Sequence, residues 1–233
     1  MERFRGSSDV PLTDEGLQKA HELGQNLAAR GGIDRIMTSD LGRTRQTAQV
    51  ISHYTRAPVV HSGSELHPWH LGALEGQEVT PERVDLMNSL IRHYPDFQIP
   101  GRGPESTGDG ESFNQFRDRG TRFFDQALRD HIANPSERTL LVTHFRNKKL
   151  MEAWIRAGAK PSGKVDTEEM TQDGGSPGSM MRVFHDPRIG YQINDVDEKS
   201  NQRLPGGVYI CRHEKTAWNR QDNPTPPIGA STS

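Results

Sequence analysis

Three short strand-like runs constrain this chain more than any other feature. "DRIMTS" (34–39) reads as a short strand, and "RTLLVTH" (138–144) and "VYICR" (208–212) carry consecutive apolar residues over a length that suits strands and is too short for a buried helix. Strands with no polar alternation are covered on both faces, which marks a largely parallel sheet with helices on either side. The first run passes at once into "DLGRTRQTAQVISHY" (40–54) and the second nearly so into "NKKLMEAWIRAG" (147–158), both of helical period. "APVVH" (57–61) reads as another strand, and "MMRVFH" (180–185) with "GYQIND" (190–195) as a hairpin.

The remaining helices have punctuation of their own. In "PLTDEGLQKAHELGQNLAARGG", Thr13 or Asp14 can cap the start. Leu17, Ala20, Leu23, Gly24, Leu27 and Ala28 share a face, and Gly31-Gly32 ends it. Asp40 stands near the start of the 40–54 helix, where a carboxylate is favourable. Helices are also predicted over 81–94 and 112–131, the latter burying Phe113, Phe116, Phe123, Ala127 and Leu128. Residues 62–80, 95–112 and 159–179 read as loops rich in breakers. This alternation predicts an α/β three-layer sandwich with a mostly parallel central sheet flanked by helices.

Composition narrows the function. With 29 basic and 31 acidic side chains the formal net charge is -2, so no global field favours nucleic acid or an anionic membrane, and any anion site must be local. The lone cysteine, Cys211, excludes a disulfide within the chain and argues against a cysteine zinc site. No apolar run reaches membrane-spanning length, and "MERFRGSSDV" has no apolar signal region; the expected location is cytoplasmic. The tail, 220–233, reads as disordered.

Ligands of α/β sheets bind beyond the carboxyl ends of the strands. One strand ends at Ser39, with Arg43 a turn into the next helix. Another ends at Thr143-His144, and a third at Arg212-His213. If the three strands are neighbours, two histidines and two arginines converge. Guanidinium forks match phosphate. A neutral imidazole is a nucleophile, and nearby arginines disfavour its protonation. The implied chemistry is phosphoryl transfer through a phosphohistidine, on a small phosphorylated substrate and with no cofactor. "HPWH" (67–70) hints at metal ligands, but no further ligand stands at recognisable spacing, so no metal is expected. Glu111 reads as a helix cap or as a pocket residue.

Six segments together resemble the histidine phosphatase superfamily, the phosphoglycerate mutase-like enzymes: "CRHEKTAWN", "RFRGSSDVPLTDEG", "SDLGRTRQTA", "PWHLGALEG", "GES" (110–112) and "VTH" (142–144). The resemblance implies His213 as the phosphoryl acceptor. Arg212, Arg43 and His144 would hold the phosphoryl oxygens, with Asn219 and Thr216 as further substrate-binding groups. Two residues depart from the family pattern. Glu214 stands where a small residue is usual, and Pro68 aligns with the position of the general acid, leaving His70, Glu65 and Glu75 as substitutes. The departures leave a non-catalytic phosphate-binding relative as the second reading; a phosphoglycerate-type mutase comes third, because residues 77–110 are a modest cap with few matched basic side chains. The segment order also departs: the family's first segment comes last here. The resemblance therefore implies one circularly permuted domain over 1–219, with the old termini joined near 196–207.

Overall fold

The computed structural model describes residues 2–101, 109–160, 163–172, 179–197, 199–213 and 216. Glu214, Asn219 and the 220–233 tail lie outside these described residues.

The elements begin with α1 (Asp14–Ala29), β1 (Arg35–Thr38), α2 (Gly42–Thr55) and β2 (Val59–His61). Next come α3 (Pro81–Arg92), α4 (Phe113–Ala133), β3 (Arg138–Thr143) and α5 (Phe145–Arg156). The last are α6 (Thr167–Thr171), β4 (Met180–Asp186), β5 (Gly190–Asp195) and β6 (Gly207–Arg212).

Local chemistry explains the boundaries. Thr13 caps α1, its hydroxyl accepting from the Gly16 amide at 3.0 Å. Ser112 and Gln115 form a reciprocal capping box at the start of α4, at 3.2 and 2.8 Å. Asp40 does not cap α2. It lies two residues before the first helical position and pairs at the surface with His67. The Gly42 amide instead donates to Asp9 at 2.9 Å, a carboxylate delivered from 33 residues earlier. Helix α6 falls inside the 159–179 stretch read as loop. It has five residues, too few for a periodic signal, and Asp166 accepts from its first amides.

The six strands form one sheet in the order β2-β1-β3-β6-β4-β5. The half β2-β1-β3-β6 is parallel; β4 is antiparallel to β6, and β5 to β4. The sheet is therefore mixed. Successive residues of the central strands enter different cores. Leu141, Val208 and Ile210 pack with Phe116, Phe124 and Trp154 under α4 and α5. Leu140, Val142, Tyr209 and Cys211 pack with Leu27, Ala48 and Ile51 under α1 and α2. All six β6 residues are buried, which is why this run has no polar alternation. Each fully buried Leu or Ile contributes about 1.5–3 kcal/mol relative to exposure. Entry into β6 needs glycine, because a Cβ on Gly206 would stand 1.9 Å from the Pro135 carbonyl oxygen.

Candidate active site

The sheet order makes β1, β3 and β6 neighbours, with Thr143 beside Arg212 in register. Each strand then releases its chain at the same edge. Ser39 follows β1, His144 follows β3 and His213 follows β6, while Arg43 comes from the first turn of α2. Arg43, His144, Arg212 and His213 line one cavity of about 450 Å³. All four are buried, Arg43 to 1 % exposure. The two imidazole centroids are 5.3 Å apart with planes at 66°.

Each group is held differently. The His213 amide donates to the Thr143 carbonyl at 3.0 Å, extending the β3–β6 ladder by one residue and fixing the imidazole's origin. His144 Nε2 meets Ser39 Oγ at 3.0 Å, and Ser39 Oγ meets Thr44 Oγ1 at 2.7 Å. That leaves Nδ1 as the ring nitrogen with no protein partner among the described residues. Burial, and then the charges of Arg43 and His213, hold His144 well below the usual histidine range, so it is neutral at pH 7. Arg43 donates to the carbonyls of Ser8 and Gly6 at 2.6 and 3.0 Å, with Asp9 at 3.9 Å. Burial lowers its pKa to about 10, which still leaves it cationic.

A third guanidinium joins them. Arg5 lines the cavity and donates to Thr216 Oγ1 at 3.1 Å. Burial, then Arg212 and Arg43, lower it to about 9. The resemblance named "RFRG" without giving Arg5 a role. The signal was there: Arg3 and Arg5 alternate in an extended segment, which turns both toward one side, and both line the cavity.

Thr216 is fully buried and bridges to the backbone of Leu12, so the chain after β6 is tied to the 3–12 segment. The three residues put forward as general acids do not line this cavity. Glu65 is exposed on a single 3₁₀ turn. His70 Nε2 stands 3.7 Å from Glu75. Glu75 accepts from Ser7 N, Ser8 Oγ and Leu71 N at 2.8, 2.9 and 3.1 Å. It thus fixes the loop whose carbonyls orient Arg43. Gly6, at φ +48°, is needed there because a Cβ would meet the Glu75 carboxylate at 2.1 Å. Glu111 neither caps α4 nor lines the cavity. It pairs with Arg119 at 2.7 Å, and its carbonyl receives the Trp69 indole N–H. The pair shapes the 67–71 loop, which contributes Pro68, Trp69 and Leu71 to the cavity wall.

Among the described residues, five arginines, Arg3, Arg5, Arg43, Arg146 and Arg212, line this space with one carboxylate, Glu2. The arrangement suits an oxyanion such as a phosphoryl group, with an imidazole beside it. Among the described residues no helix is long and apolar enough to cross a membrane.

Comparison with known proteins gives the same direction. Residues 1–163 match the model of the histidine phosphatase superfamily, branch 1. Proteins named probable phosphoglycerate mutase GpmB, from Serratia proteamaculans (strain 568) and Citrobacter koseri, are 32% and 34% identical over 146 residues. The aligned part is 61% of this chain and 61% of each relative's length. The structure of the alpha-ribazole phosphatase from Shigella flexneri superposes with a TM-score of 0.60 at 20% identity, covering 87% of this chain and 91% of that one. Mycobacterial glucosyl-3-phosphoglycerate phosphatase gives 0.58 at 19%, covering 83% and 90%. At such identities these likenesses concern the fold. With the family model matched over more than two thirds of its residues, the chain belongs to the histidine phosphatase superfamily, branch 1.

Proposed function

We propose that the protein is a phosphomonoesterase working through a phosphohistidine on His213. The carrying observation is the convergence of His213, His144, Arg43 and Arg212 on one cavity. A ring nitrogen of His213 attacks phosphorus, the ester P–O bond breaks, and the electron pair leaves with the alcohol oxygen, which takes a proton from solvent. Water then attacks the phosphohistidine and restores the free imidazole, releasing inorganic phosphate. Arg43, Arg212 and Arg5 meet the charge on the equatorial oxygens, and His144 Nδ1 offers a further contact. This is positioning and electrostatics, as phosphoryl transfer requires. Thr216, holding Arg5, acts from behind it; Asn219 is kept in this reading as a substrate-binding residue.

His213→Ala is expected to abolish hydrolysis of an aryl phosphate and the acid-labile phosphate trapped on the wild type. Full activity in that variant would end the proposal. Phosphate binding by a wild type that never turns over would favour a non-catalytic relative. The names of the GpmB relatives motivate the mutase reading; it requires transfer above hydrolysis in an assay primed with bisphosphoglycerate.

The circular permutation belongs to this same reading. Its support is the sheet order, which seats the last strand, β6, between β3 and β4, and the Leu12–Thr216 bridge joining the two ends of the described chain. Arg30, the residue that follows α1, donates to the Asp197 and Gln202 carbonyls at 3.0 and 2.9 Å. That is the placement expected of a connection between old termini.

A further inference from the structure

The cavity is larger than the phosphoryl group needs. Besides the histidines and arginines it is walled by Phe4, Trp69, Leu71, Val84, Met87 and Phe145. These come from the first loop, the 67–71 loop, α3 and the start of α5. Phosphate makes no use of such a surface, whereas the organic part of an ester does.

This apolar wall carries one isolated cation. Arg146 stands on the first turn of α5 and lines the cavity beside Thr171 and Gln172. Among the described residues its one hydrogen bond goes from Nη1 to the Met170 carbonyl at 2.9 Å, and no described carboxylate is within ion-pair distance. A guanidinium has five donors, so four remain to be satisfied by solvent or a ligand. Burial alone lowers Arg146 to about 10, without the mutual repulsion that depresses Arg5. It is carried by α5, whereas Arg5, Arg43 and Arg212 come from the first loop, α2 and β6. Its distance from that cluster is bounded. The Phe145 ring centroid lies 5.3 Å from the Arg212 guanidinium carbon and 5.4 Å from that of Arg146. The two carbons are therefore no farther apart than those distances laid end to end. A ligand no longer than a substituted aromatic ring can therefore reach both.

Resting on the phosphomonoesterase reading, we propose that the preferred substrate is a phosphomonoester of an apolar, ring-sized alcohol bearing a second anionic group, which Arg146 binds. The phosphoryl group sits at Arg212 and His213, the ring packs along Trp69, Met87 and Phe145, and a carboxylate or second phosphate reaches Arg146.

The test uses the full chain and two esters of matched leaving-group acidity, 4-(carboxymethyl)phenyl phosphate and 4-ethylphenyl phosphate. The wild type is expected to favour the acid about tenfold in kcat/KM, and Arg146→Gln to bring the ratio close to 1, with the larger loss on the acid. Arg146→Lys, which keeps the charge, should retain part of the preference. An ester with an aminoethyl group in place of the carboxymethyl group should be poorer than the ethyl compound in the wild type, an arm that needs no variant. A wild-type ratio near 1, or equal losses on both esters in Arg146→Gln, overturns the inference. Binding of the matching benzylphosphonates separates it from the activity itself. Tighter binding of the carboxylated phosphonate with no turnover of any ester leaves the two-anion site standing and rejects the phosphatase. Turnover without discrimination does the reverse.

Discussion

His144 makes the fold sensitive to acid. Its folded pKa lies well below 6.5 because burial and nearby arginines oppose protonation, whereas in the unfolded chain it titrates normally. Below about pH 6.5 the unfolded state takes up a proton that the native state refuses, so stability falls as pH falls from there toward the depressed value. His131, lowered chiefly by burial, adds to the same slope. Thermal midpoints between pH 7.5 and 5 should therefore drop, and less steeply in His144→Gln; parallel curves would contradict this assignment. Arg5 is the second test at this scale. Arg5→Gln removes a charge-assisted contact of about 1.5–3 kcal/mol, an expected loss of at least tenfold in phosphate affinity by calorimetry. His144, Arg212 and His213 were legible because each closes or follows an apolar run, and Arg43 because it stands one turn into the helix after a strand. Arg5 left only the trace of its alternation with Arg3, and Arg146 left none, since an arginine on a helix face reads as solvated until the fold shows what it faces.

Among the elements, α4 and β6 behave in opposite ways. Helix α4 announces itself: a capping box, a buried Phe face and 21 residues of consistent period. Ser112→Ala should cost about 1 kcal/mol in urea denaturation, the usual worth of an N-cap. A change near zero would mean that packing alone sets this helix end. Strand β6 was legible as a strand but its position was not. A buried run of six residues fits anywhere in a parallel sheet, and only the order of neighbours makes it central. The 62–80 and 159–179 stretches were read as loops, yet they supply cavity walls and α6. Short 3₁₀ turns and five-residue helices take their stability from tertiary contacts, here the Trp69–Glu111–Arg119 group and the Arg92–Glu168 pair. Local sequence therefore carries little trace of them.

For the molecule as a whole, the cationic cavity is a source of strain that an anion relieves. Arg5, Arg43 and Arg212 repel one another across one space, so a ligand that neutralises them binds the native state alone. Vanadate at a hundred times its dissociation constant should add about 2.7 kcal/mol. In a chain of 233 residues that corresponds to a rise in Tm of several degrees, at about 2–4 °C per kcal/mol. The rise should shrink in Arg43→Gln, and its absence in the wild type would argue against an anion site. The layers followed from alternation of strand and helix but the strand order did not, while the mixed character of the sheet came from the hairpin, which the sequence pattern also carried.

The place of β6 has a consequence for how the protein is made. Five strands leave the ribosome before the one that must lie between β3 and β4. At about 5–20 residues per second, β3 waits several seconds with an open edge and uncovered Leu140 and Leu141. During that interval a neighbouring nascent chain on the same message offers the same β6 sequence. The order of synthesis thus invites strand exchange between copies, and a chain rearranged to carry residues 207–219 ahead of residue 2 should give a higher soluble yield at equal expression. Equal yields would mean that the sheet closes faster than it can be trapped.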